Sequence, residues 1–207
     1  MPKPNHSSST TGHVYSFGSD PKGPLHPLIG ILTALRLHVH AGRRSRSGPE
    51  HRIRKRRFHL MSLMTVAAGQ FAVRLGATRR VLGPGQGALI PAGLEHDAGM
   101  QGDAGSVVWA DCRLAFWDVV PAEHLLHLPR WLDGAGVTAI QHAIEGLHAL
   151  STSGAGTTAN AAAVLRHHNT ILAELVAASQ WRTDSLERGT AALRLGGLVS
   201  TVRAGLD

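Results

Sequence analysis

FHLMSLMTVAAGQFAVRLGATRRVLGPGQGALIPAGLEHD, residues Phe58–Asp97, is the stretch whose reading decides the fold. Phe58–Ala67 is almost continuously apolar, so periodicity alone does not separate strand from helix. Its flanks do. Gly69 closes the run after ten residues, and QFAVRL follows with a period of two, so a hairpin is expected around Ala68 and Gly69. Leu75 and Gly76 lead into a second tight turn before RRVL. Gly83-Pro84-Gly85-Gln86-Gly87 turns the chain again, and ALIP starts a brief strand. Short strands separated by glycine turns point to a mainly β architecture, a small barrel or sandwich.

Working outward, residues 1–24 are rich in Ser, Thr, Gly and Pro and read as a flexible arm, because they cannot bury enough apolar surface to order themselves. PLIGILTAL (Pro27–Leu35) is a short apolar run that can lie on the folded body. Arg36–His40 alternates, with Leu35, Leu37 and Val39 on one face and Arg36, His38 and His40 on the other. Ala41–Glu50 reads as a loop. Downstream, Gly105–Trp117 is a long strand with Val108, Ala110, Cys112, Leu114 and Phe116 on one face and Trp109, Asp111 and Arg113 on the other. After Trp117 the texture becomes helical. Leu132–Leu150 carries Ile140, Ile144 and Leu147 at helical spacing, Thr158–Ser179 carries a similar stripe ending in Ile171, Leu172, Leu175 and Val176, and Ser185–Arg203 is a third, glycine-interrupted candidate. The helical histidines His142, His148, His167 and His168 have no ligand-like spacing and read as surface or half-buried side chains.

At 207 residues the chain holds one domain, or one with a helical appendage. No run approaches the length of a membrane span, and the N-terminus lacks the apolar core of a signal peptide, so a cytoplasmic location without membrane contact is expected. Cys112 is the single cysteine, which excludes an intrachain disulfide and a cysteine-based zinc site. The net charge of +7 is unevenly spread: residues 1–80 hold fourteen Lys and Arg against two acidic residues, and residues 81–207 hold seven against twelve. The cations concentrate in Arg43, Arg44 and Arg46 and in Arg52, Arg54, Lys55, Arg56 and Arg57. Such a run is either a phosphate-facing patch or a solvated loop, and no zinc-finger spacing or aromatic interleaving accompanies it.

The spacing Gly85, five residues, Pro91, one residue, Gly93, two residues, His96 resembles the second motif of the cupins. The order of elements resembles more closely the N-terminal sensor domain of AraC-type transcriptional regulators: a polar lead-in, a hydrophobic strand ending in Gly69, a glycine-rich turn, LIPAGLEH, then VVWADCRLAF. This resemblance covers about residues 30–205. It implies a small cupin-like, jelly-roll type β-barrel over residues 25–118 that binds a small-molecule effector. It also implies a helical region over 119–207 that supports a homodimer. Two departures qualify it. In metal-bearing cupins the first motif supplies two histidines and a glutamate. Counting back from Gly69 puts Ser62 at the glutamate position, and the histidine pair would fall around Lys55–Phe58, where Lys, Arg, Arg and Phe stand; Met100 replaces an asparagine of the second motif. Only His96 is in register, and a stable transition-metal site needs about three converging ligands. An atypical set from His38, His40, His59 and His96 is the remaining metal reading. Secondly, the resemblance implies a helix-turn-helix domain after residue 207, through which DNA would be contacted. The chain is therefore expected to be the sensor portion of a longer regulator.

The expected ligand-binding side chains are Arg36, His38 and His40 on the lead-in strand, and His59 and Met61 at the start of the apolar run. His96 joins them from the motif, with Trp109, Asp111 and Arg113 from the long strand. Trp109 would stack, Met61 or Met64 would adapt, Arg36 or Arg113 would clamp a carboxylate or phosphate, and Asp111 would take a hydroxyl or amine. No Ser-His-Asp or Cys-His arrangement can be ordered, so no catalytic residue, no metal and no cofactor is expected, and the chain is read as not an enzyme. A stand-alone small cupin, either an enzyme with an atypical histidine site or a dimeric interaction module, is the alternative.

Overall fold

The computed structural model describes residues 32–153 and 158–182. The arm over 1–24, most of Pro27–Leu35 and the third helical candidate Ser185–Arg203 lie outside the described residues. Two long strands carry the architecture. β3 (Met61–Leu75) and β6 (His96–Phe116) run antiparallel along the whole of β3, from Met61 opposite Cys112 to Leu75 opposite His96. Around them, β1 (Leu35–Ser47) and β2 (Arg52–Arg56) pair with β6, while β4 (Thr78–Leu82) and β5 (Gln86–Ile90) pair with β3. After β6 come β7 (Val120–Pro121), a single 3-10 turn, β8 (Leu126–His127) and β9 (Trp131–Asp133), which extends the eight-stranded sheet beyond β5. Helices α1 (Ala135–Thr152) and α2 (Thr158–Ala177) follow, and β10 (Gln180–Trp181) pairs with β8.

Several local expectations are corrected. Gly69 makes no hairpin: β3 passes through it, with register shifts between Val66 and Ala68 and between Ala68 and Gln70. Ala41–Glu50 is no loop up to Ser47, because β1 continues to that residue after a bulge between Val39 and Ala41. The basic run Arg52–Arg56 is a strand, and residues 118–134 are short strands and a 3-10 turn before the first helix begins.

Bulges account for the differences in β1, β2 and β3. A bulge adds one residue to one strand and reverses which side chains face which way beyond it. On β3, Met61 and Leu63 belong to the cluster under the helices, while Met64 and Val66 face the inside of the curled sheet. Past Gly69 the parity changes, and Phe71, Val73 and Leu75 face inward. Both faces of Met61–Val66 are buried, which is why that run is mostly apolar, with Ser62 and Thr65 its only polar side chains. β6 changes in step, with Ala98 and Met100 inward before Gly102–Gly105, and Val107 inward after it.

The two bends lie against each other. Gly69 has φ +74°, and a Cβ there would sit 2.7 Å from the Ala104 carbonyl oxygen and 2.9 Å from Gly105 Cα. Gly69→Ala is therefore expected to cost about 1–3 kcal/mol in urea unfolding, from the left-handed backbone and the clash with main chain together. Gly85→Ala separates the two causes: its φ is +77° but nothing lies within 4 Å of its Cβ position, so its loss should be smaller.

The outer face of the sheet carries Leu35, Leu37, Val108, Ala110, Cys112, Leu114 and Phe116, which pack with Val137, Ile140, Ala143 and Ile144 of α1 and Ile171 and Leu175 of α2. The alternation of the long strand thus has the expected outward face. Among the described residues no helix is long and apolar enough to cross a membrane.

Candidate ligand cavity

The curl of the sheet encloses a cavity of about 210 Å³. Its floor is apolar: Met64 and Phe71 of β3, Ile90 of β5, Ala98 and Val107 of β6. Polar groups come from several strands, with Arg43 and Ser45 from β1, Arg56 from β2, Ser62 from β3, and His96, Trp109 and Asp111 from β6; His51 and Phe58 join from the connections.

The motif residues place His96. Pro91–Leu94 is a tight turn closed by the Leu94 N–H on the Pro91 carbonyl (3.3 Å), with Gly93 at φ +74°, a conformation that favours glycine. The Gly93 N–H donates to the Phe58 carbonyl at 2.7 Å, which ties the turn to the segment before β3. Phe58 then stacks on the His96 ring, with centroids 5.5 Å apart and planes 28° apart. His96 Nδ1 lies 3.1 Å from the Leu94 carbonyl oxygen. A carbonyl only accepts, so Nδ1 carries the hydrogen of this contact. The imidazole is 1% exposed.

The cations sit at the mouth. Arg56 lies over the Phe58 ring at 4.0 Å, and Arg43 over the Trp109 ring at 5.0 Å. Trp109 Nε1 donates to Ser45 Oγ at 3.3 Å, fixing the indole against β1. Asp111 faces Ser62 in register across β6 and β3.

Three of the nine expected ligand-binding residues meet here: His96, Trp109 and Asp111. The other six lie elsewhere. Arg36 is exposed and donates to the carbonyls of Thr33 and Leu35. His38 contacts Asp118 Oδ1 at 2.6 Å, and Arg113 donates to the Asp118 carbonyl, so both are held by the Trp117–Asp118 turn. His40 is exposed beside the β1 bulge. His59, Met61 and Arg113 line a separate, more open cleft of about 400 Å³ with Arg130 and His127. Arg36, His38 and Arg113 share the face of Trp109 and Asp111 but stand farther along β1 and β6, beyond the cavity, while Met61 belongs to the cluster under the helices.

Arg43, Ser45, His51, Arg56, Phe58 and Ser62 are the cavity residues that sequence reasoning missed. Ser62 left a signal, since a polar residue inside a continuously buried run needs a reason. The arginines left none, because bulges have no sequence signature here.

The residues do not fit a metal. Among the described residues no three His, Cys, Asp or Glu side chains come together, and His38, His40, His59 and His96 are dispersed. Arg56, Phe58 and Ser62 line the cavity where the resemblance would put ligands, and a guanidinium at the mouth opposes a cation. Cys112 is no nucleophile either: burial, reinforced by neighbouring Asp111, pushes its thiol up to about 12.

On the outer side of β2, Arg52, Arg54, Lys55, Arg74 and Arg79 border an open groove with Asp97. Asp97 organises it, accepting Arg74 Nε at 2.6 Å and the Lys55 backbone N–H at 2.7 Å. The Arg74 hydrogen bond, then the Lys55 N–H, lower the Asp97 carboxyl from 3.8 to about 2. A depressed carboxyl stabilises the folded state above its ordinary value, and that contribution is lost as pH falls through the folded one. Stability should therefore drop between about pH 4 and pH 2, and Asp97→Asn should be less stable at neutral pH yet lose less in that window, read as Tm against pH.

No protein-family model matches the sequence, and no curated protein matches it. Solved structures do show similar chains. One is a cupin superfamily protein from Desulfitobacterium hafniense DCB-2, at 12% identity over 37% of this chain and 75% of that one, TM-score 0.32. Another is a cupin-2 domain containing protein from Shewanella frigidimarina NCIMB 400, at 17% identity over 37% and 79%, TM-score 0.30. A third is the DMSP lyase DddQ from Ruegeria pomeroyi DSS-3, at 18% identity over 37% of this chain and 38% of that one, TM-score 0.32. These scores are low, and the mainly β, cupin-like fold stands on the curled sheet, the enclosed cavity and the placement of Gly85, Pro91, Gly93 and His96. The expectation that the chain is not an enzyme is corrected: the similar chains include a lyase.

Proposed function

We propose that this chain is a small-molecule-binding domain whose ligand enters the curled sheet, and that it serves as the sensor domain of an AraC-type transcriptional regulator. The observation that carries the binding role is the cavity itself. An apolar floor with a few convergent polar groups is the usual construction of a small-molecule site, and about 210 Å³ suits a compact ligand. The regulatory role is supported by the position of the helices. β1 carries Arg43 over Trp109 at the cavity, while a Cβ on the adjacent Gly42 would lie 3.0 Å from Ile144 Cγ2 of α1. A ligand that shifts Arg43 thus acts one residue away from the helix contact, which is the physical basis for a coupling free energy.

In this reading the helical region also makes a homodimer, for which Leu165, 61% exposed on α2, is a contact. DNA is contacted by a separate helix-turn-helix domain, and the location is cytoplasmic.

Thermal-shift measurements with sugars, small organic acids and aromatics test the binding role, because a ligand that binds only the folded state raises Tm. One class should raise it, and Ala98→Phe, which fills the cavity from the floor, should remove the effect. If no compound shifts Tm, or the shift survives Ala98→Phe, the cavity is not the binding site.

A further inference from the structure

We propose that the cavity's ligand is a small organic acid that also carries a hydroxyl or ammonium group, its carboxylate held by Arg56 and Arg43 and its donor by Asp111. This rests on the cavity being the binding site.

The first support is the bulge in β2. Ile53 pairs with Ala98 and Arg56 with His96, so three steps on β2 oppose two on β6. Simple alternation from Ile53 would turn Lys55 inward and Arg56 outward. The added residue reverses this, and Lys55 absorbs the turn at φ +46°, a left-handed conformation that a non-glycine residue rarely adopts. The strained backbone thus delivers a guanidinium to the cavity, and Asp97 holds the bulge through the Lys55 N–H.

The second support is how the cations are mounted. The Arg56 guanidinium carbon lies 4.0 Å from the centre of the Phe58 ring, and that of Arg43 5.0 Å from the centre of the Trp109 ring. A ring attracts the cation through its π face and consumes none of its N–H donors, which a carboxylate can match with two parallel hydrogen bonds. Among the described residues neither arginine makes an ion pair.

The third support is Asp111. Its Oδ1 is buried and has no hydrogen-bond partner among the described residues. A buried carboxylate oxygen without a donor is costly, so a simple anion would leave it unsatisfied and add repulsion. A neutral sugar would leave both guanidiniums without a counter-charge. A molecule with an acid at one position and an O–H or N–H at another satisfies both, and its carbon skeleton meets Met64, Phe71 and Val107. Amino acids and hydroxy acids with compact apolar side chains are this class.

The test is isothermal titration of the full chain with a series of 2-amino and 2-hydroxy acids from glycine and glycolate to phenylalanine and phenyllactate. Their methyl esters, the unsubstituted acids and neutral sugars complete the panel. At least one amino or hydroxy acid should bind. Esterifying it, or removing its donor, should weaken binding about tenfold or more. Arg56→Gln should weaken the acid about tenfold to a hundredfold and leave its ester unchanged, with Arg56→Lys intermediate. Asp111→Asn should erase the preference for the donor-bearing acid, with circular dichroism confirming the fold. If a sugar or an ester binds as tightly as the acid, or Arg56→Gln changes nothing, this ligand class is wrong while the cavity remains the site. If nothing in the panel binds, the cavity reading falls with it.

Discussion

Phe71→Ala is expected to lower the unfolding free energy by about 3–5 kcal/mol, the range for removing a buried phenyl ring. Phe71 is 1% exposed and stands on β3 between Leu82 of β4 and Met100 of β6, so its ring holds three strands together on the inner face. It also meets the His51 ring edge-on, with centroids 6.5 Å apart. The void left by the ring would open into the existing cavity instead of forming a sealed one, and water can then enter. That argues for the lower end of the range. Urea unfolding with an unchanged slope would report a pure stability loss. Because the same ring floors the cavity, the variant should also bind an apolar-tailed ligand less tightly, whereas a loss below about 1 kcal/mol would mean that the inner cluster is not a core.

The parts of the fold that repeat with an unbroken period were legible. Val108 to Phe116 alternates without interruption, and its outward set lies against the helices while Trp109 and Asp111 line the cavity. The turns at Gly76 and Gly85 adopt positive φ, as their sequences suggested. What failed was phase. Val39–Ala41, Arg54–Lys55, Gly69 and Gly102–Gly105 each interrupt alternation, so a face read on one side of them does not carry to the other. Arg36, His38 and His40 were assigned to the pocket from the near side of the β1 bulge, whereas Arg43 and Ser45 on its far side reach it. Arg56 was lost in a basic run that looked like a solvated loop, because nothing in RIRKRRF marks which cation turns inward. Gly69 resembled a hairpin because a glycine at positive φ serves a bulge as readily as a turn.

The helices pose a question that one substitution answers: whether they belong to the core of the sheet or only pair with a second copy. The family resemblance implies that they support a homodimer, yet Val137, Ile140, Ile144, Ile171 and Leu175 share one cluster with β1 and β6. Ile144 is 0% exposed and sits against Gly42, whose lack of a side chain lets α1 approach the strand. An aspartate there would bury a charge among apolar side chains, with Arg44 committed to Glu145 at 3.1 Å. Ile144→Asp is therefore expected to cost about 4 kcal/mol or more and to abolish cooperative unfolding of the whole chain. Since the strands under α1 are also the walls of the cavity, ligand binding would be lost with it. Circular dichroism melts check this directly. If the β signal melted as before while only the oligomeric state changed, the helices would be an appendage, and the route from Arg43 through Gly42 to α1 would not exist.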